Sequence, residues 1–310
     1  MGKIMFMFPG QGAQYIGMGK AMYDGYEKAR EIFDIASKAT GLDIPALCFE
    51  ENEKLNITEY TQIAMLTVEA AIYGVMEEKG LKCDYTAGLS LGEYGALIAA
   101  GVLSYEDAFK VVRQRGIFMQ EAVPEGVGAM AAIMGLDPDG VKALCEGVAP
   151  NGEIQPANFN SPGQVVISGL SEYIDKAIEH AKEYKAKRIV KLNVSAPFHS
   201  QYMKAAAERL KEEFAKISWN EAKYDIIANV SAKPVKKSED IRDSLYRQTF
   251  SPVLWEQSVI YMLDEEKVTD FYELGTGEVL AGLIKRCRKG TSVKSGGTPG
   301  TLEEIRTCLH

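Results

Sequence analysis

A short segment, residues 84–101, constrains the fold more than any other part of the chain. Residues 84–87 form a strand-like run, Gly88-Leu89-Ser90-Leu91-Gly92 follows, and LGEYGALIAAG then has the composition of a helix that Gly101 can end. A strand that turns sharply into a helix, with a serine between two glycines at the tip, is typical of an α/β sheet protein. Because G-x-S-x-G also occurs by chance, a serine in an ordinary glycine-rich turn stays an open alternative.

The rest of the chain repeats this alternation of strand and helix. The apolar run KIMFMF stops at Pro9-Gly10, as a buried strand would, and apolar residues then recur at helical spacing. The pattern predicts strands at 3–8, 225–230 and 270–274 and helices at 26–39, 62–79 and 202–216. Strands and helices in this order indicate an α/β domain with a mainly parallel sheet.

A different order of elements occupies residues 125–196. The pattern there predicts strands at 129–134, 154–159, 164–168 and 188–194 and helices at 138–147 and 172–186. This β-α-β-β-α-β order is the ferredoxin-like arrangement. We therefore expect a discontinuous catalytic domain, 1–124 and 197–290, with a ferredoxin-like insert at 125–196.

Residues 291–310 form a C-terminal tail. Residues 291–301 are rich in Ser, Thr, Gly and Pro, which predicts a mobile connection to a last short helix at 302–308.

The composition argues against several classes of protein. The chain has 310 residues, 46% of them apolar, which is enough for a full hydrophobic core, and its net charge of −8 argues against nucleic acid as a partner. The five cysteines lack metal-ligand spacing, so we expect no metal site and no disulfide framework. No stretch is long enough to span a bilayer. We expect a cytoplasmic protein without a membrane partner.

Two glycine-rich segments lack the spacing of nucleotide sites. GQGAQYIGMGK does not contain G-x-x-x-x-G-K-[ST], and in ELGTGEVLAGLIKR the third glycine of a dinucleotide motif is displaced, with no strand carrying an acidic residue further on. We therefore expect no bound cofactor. The loop at Gln11 either brings a backbone N–H close to a reacting atom or is a tight turn that needs glycine.

A nucleophilic serine needs a base, and histidine is the usual one. His180 lies in a charged helix of the insert and His310 is the last residue, whereas His199 follows a strand and precedes the helix at 202–216, with Ser200 suited to the N-cap. The positive end of that helix would keep the imidazole neutral. The alternative to a catalytic base is a structural histidine whose ring is hydrogen-bonded in a buried turn.

Arg115 falls on the inward face of another helix. Ser104 begins this helix with a sequence that resembles a capping box, and the 3.6-residue repeat places Arg115 at the centre of the apolar face while Arg113 points elsewhere. A buried guanidinium needs an anion, either a structural Asp or Glu or a carboxylate brought by the substrate. In the second case a serine nucleophile beside Arg115 describes an acyltransferase for a dicarboxylic acyl group.

Taken together, several motifs resemble the malonyl-CoA:acyl carrier protein transacylase family. They run in order over about residues 3–290: FPGQGAQ, GLSLGEYGAL, VRQRGIFMQEA, NFNSPGQVVISG, SAPFHS, RQTFSPVLW and ELGTGEVLAGL. The resemblance implies an α/β-hydrolase-like domain with a ferredoxin-like insert. It also implies that the protein transfers a malonyl group from its substrate malonyl-CoA to the phosphopantetheine thiol of acyl carrier protein, through a malonyl-serine intermediate. This reaction would supply fatty acid synthesis.

The resemblance also implies the roles of individual residues. The implied site comprises the nucleophile Ser90, the base His199, the oxyanion-hole N–H groups of Gln11 and Leu91, the malonate-binding Arg115, Gln248, whose backbone carbonyl orients the histidine, and Phe198, which favours malonyl over bulkier groups. Many relatives have histidine before the nucleophile, whereas this chain has Leu89, so its acyl selectivity could differ.

Three further expectations concern partners and alternatives. We expect a monomer with a basic rim for an acidic carrier protein, from Lys185, Lys187, Arg188 and Lys191 or from Lys285, Arg286, Arg288 and Lys289. Either cluster is equally well explained as a solvated surface. Polyketide assembly is an alternative pathway, and a serine thioesterase or a non-catalytic binding module are alternative functions.

Overall fold

The computed structural model describes residues 2–194 and 196–309. These residues include ten strands. The strands are β1 (Lys3–Phe8), β2 (Tyr85–Gly88), β3 (Gly128–Met134), β4 (Ile154–Ser161), β5 (Gln164–Leu170), β6 (Arg188–Lys191), β7 (Asp225–Ala228), β8 (Lys233–Val235), β9 (Val268–Glu273) and β10 (Ser292–Ser295).

Helices occupy most of the chain between these strands. They are α1 (Lys20–Gly25), α2 (Glu27–Thr40), α3 (Ile44–Phe49), α4 (Thr58–Glu78), α5 (Gly92–Ala99), α6 (Tyr105–Glu121), α7 (Pro138–Val148), α8 (Ser171–His180), α9 (Lys204–Phe214), α10 (Ser238–Gln248), α11 (Trp255–Asp264), α12 (Val279–Cys287) and α13 (Pro299–Leu309). Short 3₁₀ turns lie at Lys54–Asn56 and Gln201–Met203.

The larger sheet has six strands in the order β10-β9-β1-β2-β7-β8. All of its strand pairs are parallel except β7 with β8. In the register of β1 and β2, Phe8 lies opposite Gly88. Both strands therefore end at the same edge of the sheet, and the loop after β1 emerges beside the turn that carries Ser90. The carboxyl edge of such a sheet is where α/β proteins place their sites.

Helix α4 passes through the core of this domain. Nearly every residue from Thr58 to Met76 is buried, and the helix packs against α2, α5 and α6. A helix that is apolar around its whole circumference needs neighbours on all sides. Its contact with α6 fixes the position of that helix, which begins where Ser104 accepts a hydrogen bond from the Asp107 N–H at 3.1 Å.

The second sheet has four antiparallel strands in the order β4-β5-β3-β6. With α7 and α8 it forms the β-α-β-β-α-β order of the predicted insert. Successive residues of β3 face opposite sides, as the pleat requires. Ala131 and Ile133 pack with the insert's own helices, whereas Met130 and Ala132 join the large core. The fold class is therefore confirmed, while the domain limits at 124/125 and 196/197 stay predictions.

Two predictions of secondary structure were wrong. The helix expected at 172–186 ends at His180, and a turn with Lys185 at φ 67° follows. The segment expected as a mobile connection contains β10, which pairs in parallel with β9. Its sequence, SVKS, has one apolar residue, so the strand depends on pairing with β9 rather than on its own pattern. Leu302 and Ile305 of α13 are fully buried in the large core.

Among the residues that the structure describes, none of the helices combines the length and the apolar character needed to cross a membrane.

Candidate active site

Ser90 lies in a sharp turn between β2 and α5. Its φ is 55°, a left-handed value that is uncommon outside glycine. The flanking glycines are required by close backbone contacts, because a Cβ on Gly92 would lie 2.0 Å from the Phe8 carbonyl oxygen and one on Gly88 1.9 Å from the Gly92 carbonyl carbon. The turn is therefore a strained strand-to-helix elbow that presents the serine side chain.

Asn229, directly after β7, holds this elbow in place. The Ser90 N–H donates to Asn229 Oδ1 at 2.7 Å, and Asn229 Nδ2 donates to the Gly88 carbonyl oxygen at 2.7 Å. The side chain is only 1% exposed. Asn229 is not among the site residues that the sequence predicts. Its only signal was a polar side chain following a buried strand at the carboxyl edge of the sheet.

His199 contacts the serine. Ser90 Oγ lies 2.7 Å from His199 Nε2, and His199 Nδ1 lies 2.8 Å from the backbone carbonyl oxygen of Gln248. A carbonyl oxygen only accepts, so Nδ1 carries the proton and Nε2 is the acceptor for the serine hydroxyl. Nucleophile, base and orienting group therefore form one continuous chain of hydrogen bonds.

The neutrality of His199 has a different cause from the one expected. Burial, reinforced by the positive charge of Arg115, lowers the pKa of His199 to about 4. The expected helix N-cap is absent at this point of the described chain, because Ser200 Oγ donates to the Pro197 carbonyl at 2.6 Å and α9 begins only at Lys204, after a 3₁₀ turn. Ser200 thus stabilises the turn around the histidine rather than capping a helix.

Arg115 is 1% exposed and points inward from α6. Its Nη1 donates to Gln62 Oε1 at 2.6 Å, and its Nη2 donates to Gln248 Oε1 at 3.0 Å and to Ser90 Oγ at 3.2 Å. All these acceptors are neutral. Within residues 2–194 and 196–309, no carboxylate oxygen lies within ion-pair distance of the guanidinium. The alternative in which Arg115 forms a structural ion pair with an Asp or Glu is therefore not supported by the described residues.

Arg113, two residues earlier, is the contrasting case. It donates to the Glu59 carbonyl at 2.8 Å and pairs with the Glu59 carboxylate at 3.2 Å near the surface. The two arginines of α6 thus differ as the helical repeat predicts, one inward and one outward.

Glu93, in the first turn of α5, is a buried acid that sequence analysis also missed. Its Oε2 accepts hydrogen bonds from Gln248 Nε2 at 2.9 Å and from the Asn229 N–H at 3.3 Å. Burial raises the pKa of Glu93 to about 7, which its hydrogen bonds and the charge of Arg115 oppose. Glu93 thus connects the residue that holds the elbow with the residue that orients the base.

Ser90, His199 and Arg115 border a small cavity between the large domain and the insert. It has a volume of about 150 Å³, equal to roughly five water molecules in the liquid. Its lining includes Gln11, Gln62, Leu89, Ser90, Leu91, Arg115, Met119, Met130, Asn158, Asn160, Val166, Leu192, Val194, Phe198 and His199. Of the predicted site residues only Gln248 is outside this lining, and it lies behind Ser90, Arg115 and His199. A small acyl group with one charged end suits these dimensions.

Gln11 and Leu91 reach the cavity from neighbouring backbone segments. Gln11 is in the loop after β1, where its Nε2 donates to Thr58 Oγ1 at 3.3 Å, and Leu91 directly precedes α5. The Leu89 N–H donates to the Phe8 carbonyl oxygen at 3.0 Å, which joins the two segments. N–H groups at a helix start beside the nucleophile suit a developing oxyanion.

Comparisons with known proteins agree with this geometry. The family model described as acyl transferase domain matches residues 5–291. A malonyl CoA-acyl carrier protein transacylase of Bacillus subtilis is 45% identical over 305 residues, 98% of this chain and 96% of the relative.

Solved structures agree as well. A crystal structure of a malonyl CoA-acyl carrier protein transacylase from Clostridium perfringens has a TM-score of 0.94 and 41% identity, covering 99% of this chain and 97% of that chain. A malonyl-transacylase in complex with a type II PKS acyl-carrier protein has a TM-score of 0.93 and 39% identity, covering 97% of this chain and 98% of that chain.

A nucleophile elbow with an adjoining histidine, on an α/β domain that matches the acyl transferase model, defines an acyltransferase. Within that class, the chain belongs to the malonyl CoA-acyl carrier protein transacylase family.

Proposed function

We propose that the protein transfers a malonyl group from malonyl-CoA to acyl carrier protein through a malonyl-Ser90 intermediate. The observation that carries this proposal is the buried Arg115, whose Nη2 lies 3.2 Å from Ser90 Oγ and whose hydrogen-bond acceptors among the described residues are all neutral. A substrate carboxylate next to the nucleophile would be its charged partner, held by the planar fork of the guanidinium. Acyl groups without a carboxylate would leave that charge unpaired.

The first half-reaction loads the enzyme. Ser90 Oγ attacks the thioester carbonyl carbon while its proton passes to His199 Nε2, and the N–H groups of Gln11 and Leu91 stabilise the oxyanion. The C–S bond then breaks, and the CoA thiolate takes the proton from His199. The products of this step are malonyl-Ser90 and free CoA.

The second half-reaction reverses these roles. The phosphopantetheine thiol of the carrier protein gives its proton to His199 Nε2 and attacks the ester carbonyl, and Ser90 Oγ leaves and recovers the proton. Gln248 orients the imidazole in both halves through the hydrogen bond from Nδ1 to its backbone carbonyl. We assign Phe198 and Leu89, which line the cavity, to the selection of the acyl group.

The partner and the pathway follow from the family. The related structure with a type II PKS acyl-carrier protein supports carrier protein as the acceptor. We propose fatty acid elongation as the main pathway, with polyketide assembly as the alternative that this relative favours. We also propose a cytoplasmic monomer, for which light scattering at micromolar concentration is the test of oligomeric state.

Intact-protein mass spectrometry tests the proposed function. After incubation with malonyl-CoA, the wild-type protein should gain the mass of one malonyl group, and the Ser90→Ala variant should gain none. Addition of acyl carrier protein should then remove the adduct and load the carrier. An adduct on Ser90→Ala would overturn the assignment of the nucleophile.

The other outcomes identify the alternatives. Loss of the adduct to water at the same rate with and without carrier protein would indicate a thioesterase. A wild-type protein that binds malonyl-CoA without a covalent gain would be a binding module.

A further inference from the structure

The side-chain amide of Gln248 makes three hydrogen bonds beneath the elbow. Its Nε2 donates to the Ser90 carbonyl oxygen at 2.8 Å and to Glu93 Oε2 at 2.9 Å, and its Oε1 accepts from Arg115 Nη2 at 3.0 Å. These contacts are separate from the backbone carbonyl that Gln248 offers to His199. The amide therefore connects the nucleophile's own carbonyl to the arginine.

The bond to the Ser90 carbonyl helps to set the direction of a neighbouring N–H group, together with a longer hydrogen bond of 3.2 Å from the Glu93 backbone N–H to the same oxygen. The Ser90–Leu91 peptide is trans, so its carbonyl oxygen and its N–H point in opposite directions. When the carbonyl is held towards Gln248, beneath the elbow, the Leu91 N–H must point away from Gln248. Leu91 and Ser90 both line the cavity, and Gln248 does not belong to that lining.

Glu93 strengthens the orientation of the Gln248 amide, because it accepts a hydrogen bond from Nε2 beside the Ser90 carbonyl. An amide side chain can flip by 180°, which exchanges its donor and its acceptor. Glu93 Oε2 is an acceptor and the Arg115 guanidinium is a donor, so together they permit one orientation. The same Glu93 oxygen also accepts from the backbone of Asn229, which holds Ser90 from the other side.

We propose that Glu93 is a positioning residue, which orients the Gln248 amide and thereby holds the Ser90–Leu91 peptide so that the Leu91 N–H faces the reacting carbonyl. This inference rests on the proposed function. Glu93 is 2% exposed and is outside the cavity lining, so it acts without touching substrate. Loss of Glu93 should therefore lower the rate of acyl transfer and leave substrate binding unchanged.

The test compares Glu93→Met, which fills the volume without an acceptor, with Glu93→Gln, whose amide oxygen can accept at the position of Oε2. Steady-state malonyl transfer from malonyl-CoA to acyl carrier protein should have a kcat about 10- to 100-fold lower for Glu93→Met at an unchanged KM, since removal of a whole oxyanion donor costs about 10² to 10³. Glu93→Gln should stay within about threefold of wild type, because the hydrogen bonds survive.

A matched control separates positioning from a general loss of stability. Ile72→Ala removes a fully buried side chain of α4, is expected to lower the stability of the fold, and does not touch the site. It should keep the wild-type kcat. Equal losses of kcat in Ile72→Ala and Glu93→Met would overturn the proposal, as would a Glu93→Gln enzyme as slow as Glu93→Met.

A double-mutant cycle tests the route through Gln248. Gln248→Leu removes the amide but keeps the backbone carbonyl that His199 needs, so Glu93→Met should cost little more in that background. Additive losses would contradict the proposed route. If Glu93→Met does not fold, Gln248→Leu replaces it, and an unchanged kcat for that variant would overturn the proposal. A wild-type enzyme that forms no malonyl adduct would instead refute the proposed function.

Discussion

Arg115 carries a positive charge whose hydrogen-bond acceptors, in the part of the chain that the structure describes, are all neutral. We expect this charge to determine substrate preference. Arg115→Ala should lower kcat/KM for malonyl-CoA by roughly a hundredfold or more, because charge-assisted hydrogen bonds contribute about 1.5–3 kcal/mol each. Transfer from acetyl-CoA, which has no carboxylate, should fall less or rise. Steady-state rates with both substrates provide the measurement.

Arg113→Ala is the matched control for this prediction. It removes the other arginine of the same helix, which contacts Glu59 outside the cavity, and should leave the malonyl preference unchanged. Arg115→Lys should recover little activity, because an ammonium group cannot reproduce the bidentate fork. An Arg115→Ala enzyme that keeps its preference for malonyl over acetyl would contradict the assignment of this residue.

His199 should remain a competent base well below neutral pH. The base accepts a proton only in its unprotonated form, and its lowered pKa of about 4 keeps that form dominant as the pH falls. At pH 5 about 90% of the imidazole would be unprotonated, against about 3% for an ordinary histidine of pKa 6.5. The rate of acylation by malonyl-CoA, measured from pH 4 to 8, should therefore show no loss centred near pH 6.5.

The same measurement on Arg115→Ala provides an internal control. The charge of Arg115 is one cause of the lowered pKa of His199, so its removal should move the acidic limb of the profile to higher pH. A wild-type limb at pH 6.5 or above would show that the histidine is more hydrated in solution than in this structure.

Residue type and local spacing were sufficient to find some of the site but not its supports. Ser90, His199 and Arg115 were found because a glycine-flanked serine, a histidine after a strand and an arginine on an apolar helix face each have a local signal. Asn229, Gln62 and Glu93 act over separations of 139, 53 and 155 residues from their partners. Such contacts depend on the tertiary fold, and for Gln62 and Glu93 nothing nearby in the sequence indicates them.

Among the elements, the elbow between β2 and α5 tolerates the least change. Gly92→Ala would place a methyl group 2.0 Å from the Phe8 carbonyl oxygen, where backbone atoms of β1 must move. We expect a loss of about 1–3 kcal/mol in the free energy of unfolding and a severe loss of acylation, because the shift displaces Ser90. Urea unfolding and adduct formation measure the two effects.

Gly282→Ala is a control with the same chemical change in another helix. Gly282 lies in α12, is exposed, and has no atom within 4 Å of the added methyl group. It should stabilise the protein by up to about 1 kcal/mol through helix propensity and leave acylation unchanged. If Gly92→Ala behaved as Gly282→Ala does, the close approach of the elbow to β1 would be refuted.

The predicted elements also show where local patterns are insufficient. Helix α2 has strong apolar periodicity, whereas strand β1 and helix α4 are continuous apolar runs, and the predicted limits of all three differ from the observed ones by a few residues. Strand β10 has no such pattern. It forms because the edge of β9 supplies its hydrogen bonds. Helix α8 was predicted too long because the charged residues after His180 are good helix formers that a turn nevertheless interrupts.

For the molecule as a whole, the C-terminal segment with β10 and α13 is part of the fold. Removal of residues 291–310 would expose the edge of β9 and would delete the buried side chains of Leu302 and Ile305. Each such side chain contributes roughly 2–5 kcal/mol, so we expect a large fall in the free energy of unfolding in urea. The Leu302→Ala variant, which keeps the backbone intact, should show a smaller fall in the free energy of unfolding than the truncated protein. An unchanged unfolding midpoint after truncation would support the mobile tail expected from composition.

The hydrogen bond from His199 Nδ1 to a backbone carbonyl has a genetic consequence. Every amino acid supplies that carbonyl, so no substitution at position 248 can delete the acceptor itself, whereas an aspartate in the same role would be lost by almost any change of its codon. Saturation mutagenesis should therefore give graded losses of fitness at position 248 and uniform inactivation at positions 90 and 199. A main-chain acceptor makes the catalytic machinery a smaller target for random mutation.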